Sequence, residues 1–148
     1  MTENFFDAES YQNNPDIELA WAGKAIEHME VHFNLITSVD PRILKLTPYD
    51  NEIYEAFQND FPDFKLDILD EESLKSTESK KKWHDFCLKF REKMDDATFG
   101  TLVRIDSSGE YNKENTIFVL RIQFLAIEIA RNRKGLNDSV YKEKRKVV

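Results

Sequence analysis

At 148 residues the chain is the size of one domain and long enough to bury a core without disulfides or metal. Hydrophobic residues at 41% and aromatics at 12% exclude a disordered chain, and only four glycines and four prolines favour helices over turn-rich sandwiches or barrels. A net charge of −7 argues against nucleic acid as the main partner, because an acidic surface repels phosphate. That total conceals a split. Residues 1–72 carry 17 acidic and 4 basic side chains, a balance of −13, whereas residues 73–148 carry 11 acidic and 17 basic, a balance of +6. The two halves should attract each other, or each should suit a different partner surface. The single cysteine, Cys87, has no partner for an internal disulfide, and MTENFFDAES lacks the basic start and apolar run of a secretory signal. A cytosolic protein is expected, with the nucleus as a second compartment.

Residues 1–13 show no period and read as a mobile tail, in which Phe5, Phe6 and Tyr11 are the docking candidates. A helix should start at Asn14, the cap, with Pro15 at its first position and Asp16 and Glu18 at the positive end of its dipole. Trp21, Ala22, Ala25, Ile26, Met29, Phe33 and Ile36 then share one broad face, carrying the helix to about Ser38. Asp40-Pro41 predicts a single turn through Leu44. Thr47-Pro48-Tyr49-Asp50 resembles a capping box with Asp50 as the residue that reaches back, opening a helix over residues 48–59 that Phe61-Pro62 stops. Residues 64–68 alternate like a strand or form an extended linker.

Asp70 and Ser76 are further caps, for a short turn near residues 71–75 and a helix over residues 77–94. Trp83, Phe86, Cys87, Phe90 and Met94 form the apolar face of the latter, with its lysines largely outside it. Residues 101–106 form a strand candidate, and Ser107-Ser108-Gly109 is turn chemistry. From here two readings compete. Thr116 to Val119 either pairs back as a second strand before a helix from near Leu120, or belongs to one unbroken helix from about Glu114.

The stretch TIFVLRIQFLAIEIARNRKG, residues 116–135, is the most apolar in the chain and the expected centre of the domain. On a helix, Phe118, Ile122, Leu125 and Ile129 fall within about a 60° arc, flanked by Val119, Ala126 and Ala130. Burying four such side chains is worth roughly 1.5–3 kcal/mol each before entropy is counted. Lys134 and Gly135 suit its end, and the run is too short and too charged to span a bilayer. Residues from Asn137, ending YKEKRKVV, read as a loose charged tail. The expected organisation is a mobile tail over 1–13, one compact, mainly α helical-bundle domain over 14–136, with or without a short hairpin near 101–119, and a charged tail over 137–148. A monomer is expected.

Candidate chemistry is sparse. His28 and His32 stand four apart, a spacing that can chelate zinc, but Met29 occupies the position of a zinc-protease Glu and no third ligand is evident, so packing at the border of the buried face is preferred. Cys87 near His84 lies on the apolar face, where burial makes a thiol inert. Glycines at 23, 100, 109 and 135 build no phosphate loop, dinucleotide fingerprint or nucleophile elbow. The cluster Asp67, Asp70, Glu71 and Glu72 lacks the spacing and central Gly of a calcium loop and reads as a solvated surface. Lys142, Lys144, Arg145 and Lys146 read as a solubilising tail, with a nuclear address or a contact to acidic surfaces as the alternative. No metal, cofactor or catalytic residue is therefore expected. Glu128, Arg131 and Arg121 are charges on an otherwise apolar helix, where Arg is costly to desolvate unless paired. They form an internal ion pair, or else Arg121, Arg131 and Asn132 border a partner-binding groove with Glu128 and, from the preceding segment, Arg104.

The runs NNPDIELAWAGKAIEHMEVHFNLITSVDPRILKLT, DNEIYEAF, KKWHDFCLKF, FGTLVRID and NTIFVLRIQFLAIEIARNRKGLN together resemble the small eukaryotic family called polysaccharide biosynthesis domain-containing protein 1, over residues 10–138. The resemblance implies a cytosolic, mainly helical, non-enzymatic chaperone or adaptor for translation elongation factor 1-alpha. Such a factor meets the nascent GTP-binding domain at the ribosome, helped by the nascent-polypeptide-associated complex, and releases it when GTP binds. The nucleotide then belongs to the client, which accommodates the missing phosphate loop, and release requires only that GTP favour a client state the chaperone binds less well. The family's name points to the alternative of an enzyme of methyl or glycosyl transfer, and an unassigned interaction module is the third reading.

Overall fold

The computed structural model describes the backbone of residues 15–147 and side chains from Gly23 to Lys142. The expected tail over residues 1–13, the Asn14 cap and the side chains of Asp16, Glu18, Trp21, Ala22, Lys144, Arg145 and Lys146 lie outside the described residues. Six helices and one hairpin follow in order: α1 Pro15–Ser38, α2 Asp50–Asp60, α3 Glu72–Lys75, α4 Thr77–Phe90, β1 Gly100–Arg104, β2 Thr116–Leu120, α5 Arg121–Arg133 and α6 Asp138–Val147. The fold is mainly α, as expected, with the short hairpin included.

Local chemistry accounts for most of the helix starts. Asp50 reaches back to accept the amides of Thr47 at 2.8 Å and Leu46 at 3.0 Å, while Thr47 Oγ1 accepts from Tyr49. This carboxylate, itself buried, pins the chain ahead of α2. Asp50→Ala is expected to lower folding stability by about 1–2 kcal/mol, with Asp50→Asn keeping part of the loss at bay, as read from urea midpoints. Ser76 caps α4 through the Ser79 amide at 3.1 Å. The helix stops at Phe90, shorter than the expected end at residue 94, because the chain tightens into a turn in which the amides of Lys93 and Met94 both reach the Phe90 carbonyl.

The hairpin reading of residues 101–119 is the one realised. β1 and β2 pair antiparallel with Thr101 opposite Val119 and Val103 opposite Ile117, so Phe118 and Val119 belong to a strand and not to the central helix. The extended segment before α3 adds a single bridge, Ile68 to Asp106, with the Leu69 amide donating to Ile105 O at 2.9 Å. It is a linker tied to the end of β1, not a strand.

α5 begins where β2 ends. The amides of Arg121 and Ile122 donate to Phe99 O and Ala97 O, at 2.7 and 2.9 Å, and Gln123 Oε1 accepts from Leu120 N at 2.8 Å. Every residue from Ile122 to Asn132 is buried, so α5 is enclosed on all sides rather than along one stripe. It ends as expected at Gly135, whose φ of 79° lets the Leu136 amide turn back to Arg131 O at 2.9 Å. Against α5 packs an aromatic cluster from α2 and α4, in which Phe61 stacks on Trp83 at 4.1 Å between centroids and Phe57 and Phe86 close the sides.

The loose tail expected from Asn137 is corrected by the structure. Asn137 is fully buried, and residues 138–147 form α6, which anchors Val140 and packs against α1. The acidic and basic halves do meet, through the ion pairs Lys89–Asp60 and Lys93–Glu52. These are exposed pairs of small energetic weight.

Candidate functional site

Two places gather polar side chains around α5. The first is sealed inside. The Glu128 carboxylate lies between two guanidinium groups: Arg104 Nη2 donates to its Oε1 at 3.0 Å and Arg131 Nη1 to its Oε2 at 3.1 Å. All three side chains are 0% exposed. Arg104 also donates to the carbonyls of Ser107 and Gly109, and Arg131 to those of Leu66 and Ile105, at 2.7 to 3.1 Å. Asn137 Nδ2 completes the set by donating to Glu128 Oε1 and to Asn132 Oδ1. Burial would raise the Glu128 carboxyl, but Arg104 and Arg131, helped by His32 and Asn137, hold it far below the usual carboxylate range. The Glu128 cluster therefore ties five stretches of chain together: the linker after α2, the end of β1 with its turn, α5, the start of α6 and, through His32, α1.

His32 Nε2 stands 3.9 Å from Glu128, and its Nδ1 is 2.8 Å from Tyr111 Oη. The ring packs edge-on against Phe124 and Tyr111. Burial lowers its pKa to about 4 despite the carboxylate, so the imidazole is neutral at pH 7. Its ring is part of the packing, and among the described residues no group of three His, Cys, Asp or Glu side chains is placed to hold a metal ion. The Asp67 to Glu72 cluster is part of that result. Cys87 is buried as expected, which pushes its thiol upward.

The second place is open. A cleft of about 500 Å³ lies where α1 crosses the start of β1 and of α5, lined by Lys24, His28, Asp96, Phe99, Thr101 and Arg121. Arg121 Nε donates to Asp96 at 3.0 Å and its guanidinium also meets the His28 ring, while Thr101 Oγ1 is 2.7 Å from His28 Nδ1. Burial, then the positive charge of Arg121, bring His28 to about 4, so this imidazole is neutral too and accepts from Arg121 through Nε2. Phe99 is 62% exposed at the rim.

Of the five candidate partner-binding residues, four do not border a groove. Arg104, Glu128, Arg131 and Asn132 are at most 2% exposed and bond to one another, to Asn137 and to backbone carbonyls, with Arg104 Nε and Asn132 Nδ2 left without a partner among the described residues, so the internal ion-pair reading is the one realised, with the groove assignment corrected for these four. Only Arg121 reaches the surface, and it stands apart in the cleft. Sequence reasoning missed Lys24, Asp96, Phe99 and Thr101 as its neighbours. A usable signal exists for part of this: Lys24, His28, Val31 and Leu35 recur at steps of 4, 3 and 4, a second face of α1 beside the buried one. Asp96, Phe99 and Thr101 carry no such period and reach the cleft only through the hairpin.

Comparison with known proteins gives one consistent result. The family described as "PBDC1 protein" matches residues 17–142. "Protein PBDC1" of Homo sapiens is 56% identical over 134 residues, covering 90% of this chain and 58% of that protein, so the chain spans less than two thirds of the human relative. "Protein PBDC1 homolog" of Schizosaccharomyces pombe is 44% identical, covering 97% of this chain and all of that protein. A solution NMR structure of a Saccharomyces cerevisiae protein matches with a TM-score of 0.80 at 44% identity, covering 94% of this chain and 98% of that one.

Proposed function

The chain belongs to the PBDC1 family, and from that premise we propose that it is a non-enzymatic chaperone or adaptor that binds the nascent GTP-binding domain of translation elongation factor 1-alpha and releases it when GTP binds. The observation that carries this reading is where apolar surface remains. Among the described residues, Ile26, Val31, Leu35, Val39 and Ile43 are all exposed on α1 and the turn after it, leaving only Ile68, Leu88 and Phe99 as large exposed apolar side chains elsewhere. At 100° per residue Val31 and Leu35 share one side of α1 while Ile26 lies on the other, so the exposed apolar side a client could meet is the one that carries Val31 and Leu35. Glu27 is exposed about 40° round the helix from Val31, where it could meet a basic group of the client.

In this reading the ribosome and the nascent-polypeptide-associated complex bring chaperone and client together in the cytosol, and nucleotide control resides in the client. The chaperone itself holds no cofactor. Release follows from population shift: GTP needs only to favour a client conformation that presents less of the bound surface.

A pull-down from a translating lysate with this chain as bait, probed for elongation factor 1-alpha, tests the assignment. Capture is expected with GDP and should weaken when GTP is added. An equal absence of capture under both nucleotides would sink it.

A further inference from the structure

We propose that the cleft between α1, the start of β1 and the start of α5 is a binding site for a monoanionic carboxylate carried beside a flat apolar group, as in an aromatic acid or at the C-terminus of a peptide that ends in an aromatic residue. The inference goes beyond the elongation-factor reading and stands whichever client the chain binds.

The hydrogen bonds already made at the cleft leave three donors for a ligand. Arg121 uses Nε for Asp96, at 3.0 Å, and Nη1 for His28, whereas its Nη2 donates to no described residue. A guanidinium can only donate, so the ring nitrogen that faces it, His28 Nε2, is an acceptor, and in a neutral ring the hydrogen then sits on Nδ1. The ring is neutral at pH 7, because burial and then Arg121 bring it to about 4. Nδ1 therefore donates to Thr101 Oγ1 at 2.7 Å, and Thr101 must direct its own hydroxyl hydrogen elsewhere. No described residue accepts it, although Thr101 is only 2% exposed. A buried donor left unpaired is costly, and an oxyanion in the cleft would satisfy it. Lys24 is the third donor, exposed at the rim and in no ion pair with a described residue.

Charge fixes how much negative charge the ligand brings. Lys24 and Arg121 are two cations, Asp96 is one anion and His28 is neutral, so the cleft is one positive charge in surplus. A carboxylate balances that. A phosphate dianion would bring a second charge towards Asp96, which repels it.

Phe99 selects the apolar part. Its ring is 62% exposed, the only aromatic among the large exposed apolar side chains of the described residues. The cleft encloses about 500 Å³, a size typical of small-ligand sites, and so has room for an aromatic ring against Phe99. Its polar wall is built in advance, because Asp96 holds Arg121, Arg121 holds His28, and His28 holds Thr101. Little side-chain freedom is then lost when a ligand enters.

Amide shifts of the full isotope-labelled chain, titrated with phenylacetate and with N-acetylglycylphenylalanine, test the site against phenylacetamide and phenyl phosphate. Both acids should shift residues 24–28, 96–101 and 121 and bind at least about tenfold more tightly than the amide or the phosphate. Whichever acid binds more tightly identifies the source, a free aromatic acid or a peptide C-terminus. Lys24→Glu should remove the preference for acid over amide, and Phe99→Ser should weaken both acids by about tenfold. Asp96→Asn should raise phenyl phosphate to the level of phenylacetate. Lys24 and Phe99 are exposed, so unchanged amide shifts away from the cleft verify the fold of those two variants. Equal binding of the amide, equal binding of phenyl phosphate by the unaltered chain, shifts elsewhere, or indifference to Lys24→Glu and Phe99→Ser would overturn the proposal. So would the absence of any shift with either acid at about 10 mM.

Discussion

Glu128→Gln is expected to lower folding stability by about 3–5 kcal/mol, the largest loss from any single change at the sealed cluster. The neutral amide leaves Arg104 and Arg131 facing each other with no anion between them, in a region where neither is exposed. It also turns an acceptor for Asn137 into a group that competes to donate. Removing the guanidinium groups as well would not restore the balance, as it often does for a simple buried triad. Here they also donate to the carbonyls of Leu66 and Ser107, both in buried residues, which would lose those donors. Urea denaturation at pH 7 checks this. A loss under about 1 kcal/mol for Glu128→Gln would mean that the cluster is hydrated and that its charges are not tied to the fold.

The second large effect is a fall in stability on mild acidification. His32 titrates at about 4 in the folded chain against an ordinary 6.5, because burial among Phe124, Tyr111, Arg104 and Arg131 disfavours its cation. Between those values the unfolded chain binds the proton and the folded chain does not, so stability is full above pH 6.5 and declines as pH falls towards 4. One such group contributes roughly 1.4 kcal/mol per pH unit within that window. His28, lowered in the same direction by burial and Arg121, adds to the slope. Glu128 acts lower down: its depressed carboxyl stabilises the fold above the unfolded pKa, and that contribution is lost only as pH falls further. Urea midpoints at pH 7, 6 and 5 should therefore decline, and His32→Gln should flatten the decline. Parallel curves for the two chains would show that His32 has no part in it.

These two effects involve groups whose roles the sequence leaves undecided. Glu128 and Arg131 are three apart on a helix, and that spacing fits an internal pair as well as a charged groove. The choice between them depends on Arg104, which comes from 24 positions away on a strand, and on Asn137, which follows the helix and reads as the start of a tail. Thr116 to Leu120 is similarly divided: Phe118 and Ile122 are four apart, as on a helix, while the β-branched residues favour a strand. β1 resolves it by offering five residues to pair with, in a register that the Arg121 and Ile122 amides continue to Phe99 and Ala97.

Alone, the sequence determined what depends on neighbours within a turn or two. The reach of Asp50 to Thr47, the Ser76 cap, the close at Gly135, the inert burial of Cys87 and the apolar faces of α2 and α4 all follow from residues at most four or five positions apart. Only the tertiary structure decided which polar groups are inside and which apolar groups are outside. α5 is enclosed all round because α2, α4 and the hairpin occupy its sides, so its charges are buried and must satisfy one another. α1 packs against β1 and α6, and these leave Val31 and Leu35 on the surface. Local sequence sets the preference of each residue, but its partners are supplied by segments tens of residues away, and no period within a helix encodes how many of those segments will arrive.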